Sequence, residues 1–108
     1  MARKKLETLT EQMYYVLLSL LAEPRHGYGI MQYVSRLTDG RVDIGAGTLY
    51  ALLERFEREG LITLLEHQEG RKYYTVSQKG REVLTAEHAR LRRLVADGDS
   101  LLGKEGET

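Results

Sequence analysis

The chain has 108 residues, with one Pro, no Cys, no Trp, and 16 Lys plus Arg against 16 Asp plus Glu. This length suits a single domain with a modest core that leaves room for a second packing partner, and the missing Cys excludes disulfides, thiolate nucleophiles and thiolate metal sites. Balanced charge argues against a strong non-specific polyanion binder, and no apolar run approaches the roughly 20 residues that span a bilayer, so a cytoplasmic protein with no membrane partner is expected.

The N-terminal stretch MARKKLETLT is basic but has no hydrophobic segment behind it, unlike a secretory leader. The first periodic segment runs from about Thr10 to Leu21, with Met13, Val16, Leu17, Leu20 and Leu21 on one face. Thr8 with Glu11 has the form of a capping box, Thr10 competes as N-cap, and Glu23-Pro24 stops the helix. From His26, HGYGIMQYVSRLTDG gives a second amphipathic helix with Ile30, Met31, Val34 and Leu37 inward, ended by Asp39-Gly40. Gly27 and Gly29 in its first turn cost helix propensity, about 1 kcal/mol each, which implies a close approach to the backbone by a packed helix or by a phosphate. RVDIG, with Val42 and Ile44 alternating, fits a small edge strand.

GTLYALLERFEREGLI, from Gly47 to Ile62, reads as a third helix with a core stripe of Leu49, Leu52, Leu53 and Phe56, ended by Gly60. Leu61, Ile62, Leu64 and Leu65 continue as a strand, EHQEGRK from Glu66 to Lys72 forms a hairpin tip, and YYTV returns. Ser77 opens a last helix that runs to about Asp97, with the tail frayed. The expected fold class is mainly α with a small β-hairpin. A winged helix-turn-helix DNA-binding domain occupies residues 1–76, a C-terminal dimerisation helix 77–98, and a disordered tail 99–108.

With the leucines and Phe56 inward, the third helix turns Thr48, Tyr50, Ala51, Glu54, Arg55 and Arg58 outward. Thr48, Tyr50 and Ala51 lie in the part that reaches base edges: Ala51 can meet a thymine methyl, and the two hydroxyls can hydrogen-bond. Tyr50 is alternatively a half-buried aromatic closing the domain edge. Glu54 and Glu57 repel phosphates unless paired with Arg58 or Arg55. Arg71 and Lys72 put positive charge on the hairpin tip, and Arg3, Lys4 and Lys5 could add phosphate contacts. On the last helix, Leu84, His88, Leu91 and Val95 recur at spacings of four, three and four, as in a coiled-coil seam, although the helix could also fold back on its own domain. His26, His67 and His88 form no ligand spacing, so no metal or cofactor is expected. There is no P-loop, dinucleotide fingerprint or catalytic triad, so an enzyme is not expected.

The blocks HGYGIMQ, GTLYALLERFEREGLI, GRKYYTVSQKG and EHARLRRLV resemble, in order and spacing, the PadR-like transcriptional regulators over roughly Leu9 to Val95, and in particular the short subgroup with a single C-terminal helix. The resemblance implies a homodimeric DNA-binding regulator, usually a repressor, with Tyr50, Arg71 and Lys72 on a double-stranded operator and Tyr15, His26 and Tyr28 either near the phosphate backbone or supporting that surface. It further implies release by a small aromatic or hydrophobic effector at an interface of the first and last helices, where Met13, Tyr14 and Tyr15 either line a pocket or are ordinary core. Ala46 departs from the Pro that many relatives carry before GTLY, so a less rigid helix entry is expected. The rival reading is a winged-helix module for protein contacts without DNA.

Overall fold

A computed structural model of the chain describes residues 8–106. The elements are α1 (Glu11–Ala22), α2 (Gly27–Leu37), α3 (Ala46–Arg58), β1 (Ile62–Gln68), β2 (Arg71–Val76) and α4 (Gln78–Gly106). The chain is therefore mainly helical with one antiparallel hairpin. No helix among the described residues is long and apolar enough to cross a membrane.

Thr10, not Thr8, caps α1: its Oγ1 accepts from the Met13 N–H at 3.2 Å. Just before this cap the Leu9 N–H donates to the Glu87 carboxylate, at 3.3 Å. Met13, Val16, Leu17 and Leu20 are buried as their spacing predicts, whereas Leu21 lies at the edge, 38% exposed. Pro24 ends the helix, and the Ser19 carbonyl accepts from the Arg25 Nε at 3.0 Å as well as from the Glu23 N–H at 3.5 Å. α2 ends with Asp39 and Gly40 at positive φ, the Gly40 N–H returning to the Ser35 carbonyl at 2.8 Å. Of its expected inward residues Ile30 and Val34 are fully buried and Met31 packs beside them, but Leu37 is 51% exposed.

RVDIG does not form a strand. Val42 and Ile44 are buried in alternation, as expected, but the Val42 N–H donates to the Thr38 hydroxyl at 3.0 Å rather than to a neighbouring strand. Thr38 is itself buried and donates to the Val34 carbonyl at 2.8 Å, so one side chain both ends α2 and holds the segment that follows. The edge of β2 is met instead by Arg25, whose N–H and carbonyl bond to Tyr74 at 3.1 and 2.9 Å.

In α3, Leu49, Leu53 and Phe56 enter the core and Leu52 packs partly against it. Gly60, at φ 78°, closes the helix, and the Leu61 N–H bonds back to the Phe56 carbonyl. The hairpin is longer than the sequence predicts: both strands continue until only Glu69 and Gly70 remain as the turn, at φ 53° and 77°. Two positive φ angles make this the turn whose twist matches the strands. One register irregularity at Leu65 leaves Leu64 and Leu65 at the surface.

α4 does not stop near Asp97 but continues through Gly98 to Gly106, a rod of 29 residues, about 44 Å long at 1.5 Å per residue. Its first turns belong to the domain: Leu84 is only 4% exposed, and Glu87, at 2%, is the charged anchor. The Glu87 carboxylate accepts from Arg90 through Nε at 2.9 Å and Nη2 at 2.7 Å as well as from Leu9. Its pKa is lowered, chiefly by the Arg90 hydrogen bonds, which outweigh the opposing effect of burial. A lowered carboxylate pKa contributes stability above the ordinary value of 4.5, and this is lost as pH falls through the lower folded value. Glu87→Gln should cost about 2 kcal/mol at pH 7, less than a fully buried pair because Arg90 reaches solvent, and should flatten the acid limb. Urea titrations at pH 7 and pH 3.5 check this; equal losses at both would contradict it.

Candidate nucleic-acid interface

α2, α3 and the hairpin converge on an open cavity of about 350 Å³ lined by His26, Gly27, Tyr28, Tyr50, Gly70, Arg71, Lys72 and Tyr74. His26 is the N-cap of α2. Its Nδ1 accepts from the Gly29 N–H at 3.1 Å, while its Nε2 faces the Arg71 Nη1 at 3.0 Å, with the Tyr73 ring edge-on at 5.1 Å between centroids. Burial and the Arg71 charge hold its pKa below the usual histidine value. A neutral imidazole has one lone pair, and the rigid backbone N–H of Gly29 claims it. The Arg71 guanidinium, which can only donate, approaches the same ring from the Nε2 side. The Gly29 N–H and the Arg71 guanidinium converging on one imidazole, at the positive end of a helix and beside Lys72, give the cavity donors and positive charge that suit an anionic acceptor.

Tyr50 stands on the rim of this cavity, 57% exposed. Its ring lies across the first turn of α2, where a Cβ built on Gly27 would come within 2.9 Å of the phenol oxygen and 3.1 Å of the ring. The close approach inferred at Gly27 is thus to a side chain of α3. At Gly29 an added Cβ would meet the His26 ring at an ordinary 3.5 Å. Thr48 and Ala51 are exposed on α3, and Tyr28 is 55% exposed on α2. Gly45 is the N-cap of α3 and, having no side chain, makes no capping bond.

Other expected residues lie elsewhere. Tyr15 is half-buried against the core, edge-on to Tyr14 at 6.0 Å, and does not line the cavity. Met13 is core, and Tyr14 is partly buried, its pKa raised by burial and then by Tyr15 and Glu87. On α4, Leu84 is committed to its own domain, correcting its place in the expected seam. His88 is exposed, Leu91 half-buried and Val95 61% exposed. The apolar stripe left open runs instead through Leu91, Leu94, Val95, Leu101 and Leu102. Arg55 pairs with Glu59 at 2.9 Å, not with a carboxylate of the outward face. Arg3, Lys4 and Lys5 fall outside the described residues. Sequence reasoning missed Gly70 and Tyr74 as cavity walls, and Arg25 as the anchor of the hairpin, its guanidinium 3.9 Å over the Tyr33 ring.

Residues 16–86, well over half of the chain, match the family of PadR-like transcriptional regulators. The chain belongs to that family. Its PadR-like fold superposes on a PadR family transcriptional regulator from Eggerthella lenta with a TM-score of 0.70 at 33% identity, over 84% of this chain and 80% of that one. Bacillus subtilis PadR, solved in complex with operator DNA, matches with a TM-score of 0.62 at 24% identity, over 68% of this chain and 44% of that one, a likeness of fold. The transcriptional regulator YqjI of Escherichia coli is 27% identical over 74 residues, which are 68% of this chain and 36% of that protein. The chain thus spans about a third of the length of this relative. PadR-like proteins are transcriptional regulators, not enzymes.

Proposed function

We propose that this PadR-like chain is a homodimeric repressor that binds a pseudo-palindromic DNA operator, with α3 in the major groove and the hairpin tip on the backbone. The observation that carries the reading is the cationic seat that Arg71 and Lys72 form against the His26-capped start of α2, beside the exposed Tyr50, which matches a backbone phosphate flanking a read base. The operator complex of the Bacillus subtilis relative supports the same use of this fold. In this reading residues 1–76 form the DNA-binding unit and the helix after Ser77 the dimerisation unit. Thr48, Tyr50 and Ala51 face the bases; Tyr28 flanks the phosphate seat, and Tyr15 supports the surface from inside. The open stripe of α4 covers its counterpart in a second copy, with His88 and Leu91 at the near end of that seam, and sets the two recognition helices roughly 34 Å apart, one turn of duplex. Release by a small aromatic or hydrophobic effector is proposed for the junction of α1 and α4, where Tyr14 and Tyr15 stand half-buried.

The test is anisotropy on duplexes selected from a random pool, across a potassium chloride series. Arg71→Ala should weaken binding to all duplexes and make the log-log salt slope shallower by about one. Tyr50→Ala should remove most discrimination between selected and scrambled duplexes while leaving the slope unchanged. Binding without a salt slope would favour the protein-contact reading instead.

A further inference from the structure

Leu49, Leu53 and Phe56 are each at most 2% exposed, which fixes the back of α3. At 100° per residue, Gly47, Ala51, Glu54 and Arg58 then fall along the opposite line, and all four are exposed. Tyr50 leans from this line toward α2. Nothing lies within 4 Å of a Cβ built on Gly47, and Ala51 carries a single methyl, so the helix backbone can approach a duplex closely along its first turns. Glu54 is the first long side chain on the line. It takes part in none of the ion pairs found among the described residues: Arg55 is held by Glu59, and Glu57 sits toward the hairpin, where its charge bears on the Tyr74 phenol.

We propose that Glu54 is a specificity-determining residue that reads cytosine in the major groove; the proposal rests on the duplex-binding reading above. A bare carboxylate aimed at a duplex is repelled by the phosphates, and only a base-edge donor offsets that cost. Guanine presents N7 and O6, and thymine O4, all acceptors that repel it. Adenine offers its N6 amino group but sets the N7 acceptor beside it. Cytosine offers its N4 amino group without an adjoining ring acceptor. The same carboxylate therefore favours one base and disfavours the others, so that its electrostatic penalty becomes selectivity.

The experiment selects duplexes from a random pool with the full chain, then measures Kd for wild type, Glu54→Ala and Glu54→Gln on the best duplex and on each single-pair variant. Wild type should lose about ten- to a hundred-fold at one C·G pair in each half-site when it becomes T·A. Glu54→Ala should lose that preference alone and bind unrelated duplexes more tightly. Glu54→Gln should move the preference toward A·T, since an amide matches adenine N6 and N7. Unchanged melting temperatures would show that both variants fold, as an exposed residue allows. Identical preferences for wild type and Glu54→Ala at every position would overturn this proposal alone. Failure of wild type to select any duplex would overturn it together with the duplex-binding reading.

Discussion

Gly80→Ala should destabilise the protein by about 3 kcal/mol or more, enough to lower Tm by roughly 15 °C in a domain of this size. Helix propensity alone predicts the opposite sign, since alanine inside a helix is favoured over glycine by about 1 kcal/mol. The contact decides the outcome. Gly80 is buried in the first turn of α4, and a Cβ added there would fall on the Leu61 carbonyl oxygen and 2.7 Å from a Val76 methyl. Neither can move freely: the Leu61 carbonyl accepts from the Ser77 N–H at 2.9 Å, and Val76 is core. Ser77 adds to the same junction by accepting from the Gly80 N–H and donating to the Gly60 carbonyl. Thermal and urea unfolding followed by circular dichroism give the answer; an equal or higher Tm for the variant would contradict the close seating of α4 on Leu61 and the end of β2.

Leu94→Glu should separate the proposed dimer and weaken operator binding by about 10² to 10⁴, the advantage that linking two half-site contacts ordinarily provides. Leu94 is 53% exposed in the single chain, next to Val95 at 61%, with Leu101 and Leu102 both at 68%. The substitution therefore leaves the domain's own core untouched and acts on the surface a second copy would cover. One charge per chain, doubled by symmetry, faces its own copy across the seam. Sedimentation equilibrium at micromolar concentration reads the mass directly. A wild-type protein that sediments as a monomer, or a variant of the same mass as a dimeric wild type, would contradict the assigned interface.

The candidate site was legible to different depths. Tyr50, Thr48 and Ala51 could be placed on the outward side of α3 because Leu49, Leu53 and Phe56 declare the inward side, and residues three and four apart share a face whatever surrounds them. Arg71 and Lys72 were legible as residues beside the turn from Gly70, although they open β2 and do not lie in the turn itself. Tyr15 was placed by resemblance either near the backbone or behind that surface, and its neighbours Met13, Val16 and Leu17 draw that stretch of α1 toward the core. RVDIG showed its burial but not its bonding, because alternation records which side chains are inside and is silent about where the backbone N–H groups go. The Thr38 hydroxyl that takes the Val42 N–H carries no pattern a sequence reader could follow.

What the amino-acid order determined by itself is the set of local decisions: the helix faces, the stops at Pro24 and Gly60, the cap at Ser77 and the turn at Gly70, all governed by residues within about four positions of one another. Only the tertiary structure decided that Arg71 meets His26 across 45 residues, that Glu87 takes the Leu9 N–H across 78, and that Leu84 belongs to its own core. Local preference acts within a turn of chain. Those meetings depend on how whole elements pack, and packing selects partners by shape and available hydrogen bonds, which no short window of sequence contains.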